Sequence, residues 1–206
     1  MKLFYKIILT GIFLFSMFAC APSVTQHDAS KLTVGILNEF SDTPNYIKER
    51  TFTFRHQIGD YGIDGFKNIL MQSAEEYLIP KGYKVINVED KTALKDGRAD
   101  MIVQIVPMDI FKQDGTPGYG FYDRKILGIL IKQPARSYIC LNMNLIRKDY
   151  FKGVRTGRQE NFSKLLVKEL PDSPDQLTED ERKEMSLNLK NNIRKTIFRV
   201  LPMLGL

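Results

Sequence analysis

The sequence predicts an α+β domain: a mostly antiparallel sheet of about five or six strands with two helices packed on one face. Three observations lead there. Apolar residues recur at helical spacing in two well-separated stretches, 63–78 and 185–204. Several segments before and between them alternate apolar and polar residues with a period of two. The elements also follow one another as strands, helix, strands, hairpin and helix, not as a regular strand–helix alternation.

Leu32, Val34 and Ile36 alternate with Thr33 and Gly35, giving a first strand over 32–38. After the turn-like SDTPN at 41–45, Phe52 and Phe54 alternate with threonines in a short second strand. Then the period changes to that of a helix. Ile63, Phe66, Ile69, Leu70, Ala74, Tyr77 and Leu78 share one face, Asp60 or Asp64 is placed to cap its start, and Pro80 and Gly82 end it. Tyr83 to Val88 reads as a short strand and LKDGRAD at 94–100 as a turn.

Ala99 to Ile110 is apolar on both faces, the pattern of a central strand, with Pro107 marking an edge, a bulge or its limit. The stretch 113–124 (QDGTPGYGFYDR) reads as irregular, and Ile126 to Ile131 as a further apolar run. Ile139, Leu141, Met143 and Leu145 alternate with Tyr138, Cys140, Asn142 and Asn144, so 137–147 is a strand with one buried and one wetter face. A hairpin turn at Phe151-Lys152-Gly153 returns the chain through 154–162. SKLLVKEL at 163–170 fits either a strand end or a short helix.

Thr178 and Glu181 have the spacing of a capping box. Met185, Leu189, Ile193, Ile197, Val200 and Leu204 then form an apolar face opposite Arg182, Lys183, Lys190 and Arg194, until Pro202 breaks the final turn. Such a basic amphipathic helix can lie on a membrane. With a sheet available to cover, packing on that sheet is the expectation.

The first nineteen residues carry the clearest signal. Lys2 and Lys6 precede an apolar run from Ile7 to Ala19, which Cys20 follows. A membrane-spanning helix needs roughly 20 apolar residues, whereas a shorter run behind a basic start has the form of a secretory signal peptide. Two cleavage readings fit: before Cys20, or after the Ala19-Cys20-Ala21 pattern. In the second, Pro22 would follow the cut, which disfavours it.

Met17-Phe18-Ala19-Cys20 resembles the lipobox of bacterial lipoproteins. That resemblance implies a diacylglycerol thioether on Cys20 and an acylated amino terminus, enough acyl chain to exceed the marginal anchoring of one chain. Ala21, standing where an inner-membrane protein of this kind would carry Asp, implies the outer membrane and its periplasmic face. The expected organisation is then a leader at 1–19, an acylated Cys20 with a short polar tether at 20–30, and one periplasmic α+β domain at 31–206.

Composition is compatible with this. The whole chain has a formal charge of +6, and Lys2 and Lys6 belong to the leader. So modest a balance suits an envelope protein near anionic surfaces and does not indicate nucleic-acid binding. If Cys20 is acylated, Cys140 lacks a partner within the chain, and the fold does not rest on a disulfide. A small buried residue in a strand is the expectation for Cys140.

Beyond the leader, the chain resembles the small Gram-negative envelope lipoproteins of the YajG and LpoB kind. The shared features are the lipobox, the TVGI-like first strand, the helix running into KGYKV at 81–85, the ADMIVQI strand, a meander and a carboxy-terminal helix. The resemblance implies an accessory or regulatory partner in envelope assembly.

No catalytic chemistry is predicted. The chain lacks G-x-S-x-G and both phosphate-loop patterns; Gly118-Tyr119-Gly120 is only G-x-G. Its two histidines, His27 and His56, lie far apart with no cysteine pair beside them, so neither a metal nor a cofactor is expected. His56 with Asp60 has a loop or cap role as its plainer reading, and Glu75-Glu76 falls on an exposed helix face. The candidate partner-binding residues are Tyr119, Phe121 and Tyr122, rings in a glycine-rich stretch that either dock a protein or fold back over the sheet.

The expected function is therefore a non-enzymatic, lipid-anchored accessory subunit of an envelope complex. Its alternative is a periplasmic carrier of lipid or another apolar ligand.

Overall fold

The computed structural model describes residues 32–41, 46–50, 54–59, 65–108, 118–126, 131–148, 155–164 and 169–206. It is α+β, as expected, and its sheet is mostly antiparallel. Eight strands take part, more than the five or six expected: β1 (Thr33–Asn38), β2 (Tyr46–Arg50), β3 (Phe54–Gly59), β4 (Lys84–Asn87), β5 (Met101–Pro107), β6 (Tyr119–Ile126), β7 (Ile131–Arg147) and β8 (Arg155–Lys164). Helices α1 (Phe66–Leu78) and α3 (Glu179–Met203) are joined by a four-residue helix α2 (Thr92–Lys95).

The 17-residue strand β7 is the spine. One edge carries β8 in antiparallel register from Arg136↔Lys164 to Leu145↔Arg155. Its other edge carries two strands end to end: β6 against 131–139 and β5 against 141–147, both antiparallel. Beyond β6 the sheet continues antiparallel through β3 to β2; beyond β5 it continues parallel through β1 to β4.

Cys140 marks the seam between β5 and β6. Its backbone oxygen accepts from Met108 N at 3.0 Å and its N–H donates to Gly118 O at 2.6 Å. Along the β6 edge, Tyr122 faces Arg136 and Arg124 faces Gln133, so Pro134 and Ala135 together oppose Asp123. This bulge accommodates a proline that lacks a ladder donor. The buried Asp123 carboxylate accepts from Leu170 N at 2.8 Å, fixing the chain ahead of α3.

The main core lies between the sheet and the two long helices. Val34 and Ile36 of β1, Val103 and Ile105 of β5, and Ile139, Leu141 and Met143 of β7 meet Phe66, Leu70, Ala74 and Leu78 of α1. Met185, Leu189, Ile193, Ile197 and Val200 of α3 fill the same layer. The four-residue steps along α1 come directly from the periodicity that predicted it. Within the apolar face of α3, Asn188, Asn192 and Thr196 form a polar row. Ser137 Oγ donates to Asn188 Oδ1 at 2.6 Å, and Asn192 Nδ2 donates to Ser137 O and Oγ at 3.2 Å. These bonds meet the requirement that buried polar groups find partners.

A smaller core lies on the opposite face, where α2 places Ala93 and Leu94 over Leu37, Val88, Ala99 and Ile102. That third helix was unforeseen; 94–100 was expected to be a turn throughout. Other differences have local causes. The stretch from Tyr119 is strand, because β3 and β7 pair with it from distant parts of the chain. The apolar run at 126–131 supplies the end of β6 and the start of β7. Pro202 does not break α3, which continues to Met203; this close to the end, the missing N–H forfeits a single intrahelical bond. The proposed caps Asp60 and Asp64 and the turn at 151–153 lie outside the described residues.

The capping box is as expected. Thr178 Oγ1 accepts from Glu181 N at 3.3 Å, and Glu181 Oε2 accepts from Thr178 N at 2.8 Å. The Thr178 N–H, then its hydroxyl, hold the Glu181 carboxyl below the usual carboxylate range. A depressed folded-state pKa stabilises the fold above the unfolded value, and the stabilisation fades as pH falls through the folded one. Thr178→Ala should cost about 1 kcal/mol in denaturant titrations. Glu181→Gln should match the native chain in acid and fall behind it as the carboxylate ionises; a constant offset across that range would refute the linkage.

Candidate functional site

The three rings proposed to bind a partner lie inside the molecule. Tyr119 is 7 % exposed, Phe121 0 % and Tyr122 4 %. Tyr119 stacks on Phe66 with centroids 3.4 Å apart, and Phe40 meets both rings edge-on at 4.9 and 5.8 Å. The docking reading of these residues gives way to the other one: β6 carries Tyr119 and Phe121 into the main core, where Tyr119 packs on the start of α1, and Tyr122 is buried outside that cluster. Cys140 is buried with its thiol in no disulfide, as a small strand residue was expected to be. Cys20 and His27 lie outside the described residues, and His56 is a β3 position opposite Glu49 and Arg124.

Another arrangement occurs on the face of the sheet away from α1 and α3. Register sets Gln104 of β5 directly opposite Asn144 of β7, and Asn142 follows two positions before it on the same face. The half-buried amides form a directional row. Asn142 Nδ2 donates to Asn144 Oδ1 at 3.4 Å, Asn144 Nδ2 to Gln104 Oε1 at 3.1 Å, and Gln104 Nε2 to the Glu39 carboxylate at 2.6 Å. The chain ends on a charge, which strengthens and polarises it. At its other end Asn142 Oδ1 is buried with no hydrogen-bond partner among the described residues. The wetter face of 137–147 was legible as alternation; the link to Gln104 and Glu39 required the register.

A second arrangement is the pole at which β1 begins. Lys84 N donates to Leu32 O at 3.0 Å and Tyr83 N to Leu78 O at 3.3 Å, closing the end of α1 over the start of β1. The end of α3 arrives there too, with Tyr77 Oη and Lys81 Nζ donating to Leu206 O at 3.2 and 2.9 Å. Arg194 binds Glu76 at 2.6 Å, a second tie between the two helices.

Among the described residues no group of acidic, histidine or cysteine side chains is placed to hold a metal ion, and no helix is long and apolar enough to cross a membrane. The chain matches no protein-family model and no curated protein.

Proposed function

We propose that this protein is an outer-membrane lipoprotein facing the periplasm, whose α+β domain serves as a non-enzymatic accessory subunit of an envelope complex. The observation that carries the reading is the basic start and apolar run closing on Ala19-Cys20, with only a short polar stretch before β1. Acyl chains on Cys20 hold the domain at the bilayer, and the domain acts by contact. The amide row from Asn142 to Glu39 supports a contact role, since it presents polar groups on a sheet face that neither long helix covers. Among the described residues the layer between sheet and helices is packed with buried apolar side chains, which favours the contact role over the carrier alternative.

Cys20→Ala should move the protein from the membrane fraction to the soluble one with an unchanged melting temperature. Persistence of Cys20→Ala in the membrane fraction would refute acyl anchoring. A photo-crosslinker at Gln104 should trap one defined protein in cells, whereas one at the exposed Leu187 should not; the same products from both positions would remove the sheet face as the contact.

A further inference from the structure

We propose that the pole from which Leu32 emerges is a second membrane-binding element, laying Ile79 and Met203 against an anionic, phosphate-bearing bilayer surface. The inference rests on the lipid-anchor reading for the domain's location and on the fold for its orientation.

Location follows from chain length. Eleven residues lie between Cys20 and Leu32, and even fully extended they span at most about 40 Å. The end of the domain that receives this segment is thus tethered within that distance of the acyl chains. The fold gathers several termini there: the starts of β1, β4 and β5, the end of β7 at Arg147 opposite Met101, and the ends of α1 and α3.

This pole has the composition of an interfacial surface. Three large hydrophobic residues stand out as exposed among the described residues: Ile79 at 55 %, Leu187 at 59 % and Met203 at 59 %. Two of them are at this pole, beside the exposed prolines Pro80 and Pro202. Around them Lys84, Lys148 and Arg199 are exposed with no carboxylate partner among the described residues. The acids nearby are largely engaged: Glu76 with Arg194, Asp96 with Arg98, and Asp100 with Thr33 N. Among the described residues Glu75, half-buried on α1, is the remaining one. Apolar tips within a basic rim match a bilayer whose surface is anionic, because the cations meet phosphate while the tips enter the headgroup layer. An acyl anchor keeps the pole at high local concentration beside that surface, so a weak contact suffices.

The chain contains no tryptophan. Ile79→Trp, Met203→Trp and Leu187→Trp therefore each install a single fluorophore at an exposed position. Leu187 lies on α3 roughly 24 Å from Met203, given 1.5 Å per residue. The acylated variants would be placed in phosphatidylcholine vesicles with brominated acyl chains, with and without phosphatidylglycerol. Quenching at 79 and 203 should exceed that at 187 by at least about twofold in the anionic vesicles, and should fall with added salt or with Lys84→Glu and Arg199→Glu. Equal quenching at all three positions would overturn the proposal. Vesicle flotation of the Cys20→Ala forms separates the two readings. If acylated protein floats without quenching at 79 and 203, the pole is refuted and the anchor stands. If Cys20→Ala floats equally well and is quenched at 79 and 203, the pole stands and the anchor is refuted.

Discussion

Replacing Gly118 by alanine should destabilise the domain by about 3 kcal/mol, at the upper end for forcing atoms into a packed site. A Cβ at this position would lie 2.8 Å from Cys140 O, 2.8 Å from Phe40 Cε1 and 3.0 Å from Pro107 Cβ. The first of these is the severest, because it is backbone. Gly118 O receives the Cys140 N–H bond that starts β6, so relieving the clash pulls that bond apart as well. For a chain of this length such a loss lowers the melting temperature by on the order of 10 °C. Thermal unfolding followed by circular dichroism reads it directly. A shift of only a degree or two would mean that β5 and β6 meet β7 less tightly than these distances require.

Tyr119→Ala should be comparably costly, about 3 kcal/mol by analogy with other buried aromatic truncations. The ring stacks on Phe66 and touches Phe40, so its removal opens a void where α1, the end of β1 and the start of β6 converge. Tyr119→Phe keeps the stacked ring and should recover most of the loss. The comparison separates the two origins proposed for this residue. A docking tyrosine would lose partner binding while leaving the melting temperature alone. A core tyrosine lowers the melting temperature, and it lowers binding only through the folded fraction. Chemical denaturation of both variants, alongside the crosslink from Gln104, distinguishes them.

Much of the architecture was legible because it rests on local patterns. The four-residue steps of α1 and α3, the doubly apolar β5 with Pro107 at its end, and the Thr178–Glu181 box need no knowledge of the rest of the chain. What was missed depends on distant partners. Tyr46–Arg50 is polar and carries no alternating signal; it becomes a strand by pairing with β3. Tyr119 to Tyr122 sit among glycines, a turn-like composition, yet β3 and β7 pair on both sides and make them core. The polar row along α3 has the spacing of a surface face, and only the approach of Ser137 shows that Asn192 points inward. Of the candidate site, the wetter side of β7 was visible in sequence. Its continuation to Glu39 was not, because nothing local reveals that Gln104 stands opposite Asn144.

The seam at Cys140 has a consequence for how such a chain can change over generations. Met108 and Gly118 are bonded to the oxygen and nitrogen of one residue, so β5 ends and β6 begins at adjacent rungs. The two strands are in effect spliced into a single long edge, and their registers along β7 are locked to each other. Gly118, Cys140 and Pro107 bear the steric constraint there. A substitution at any one of them is felt on both sides of the seam, so change at these three positions has to be concerted.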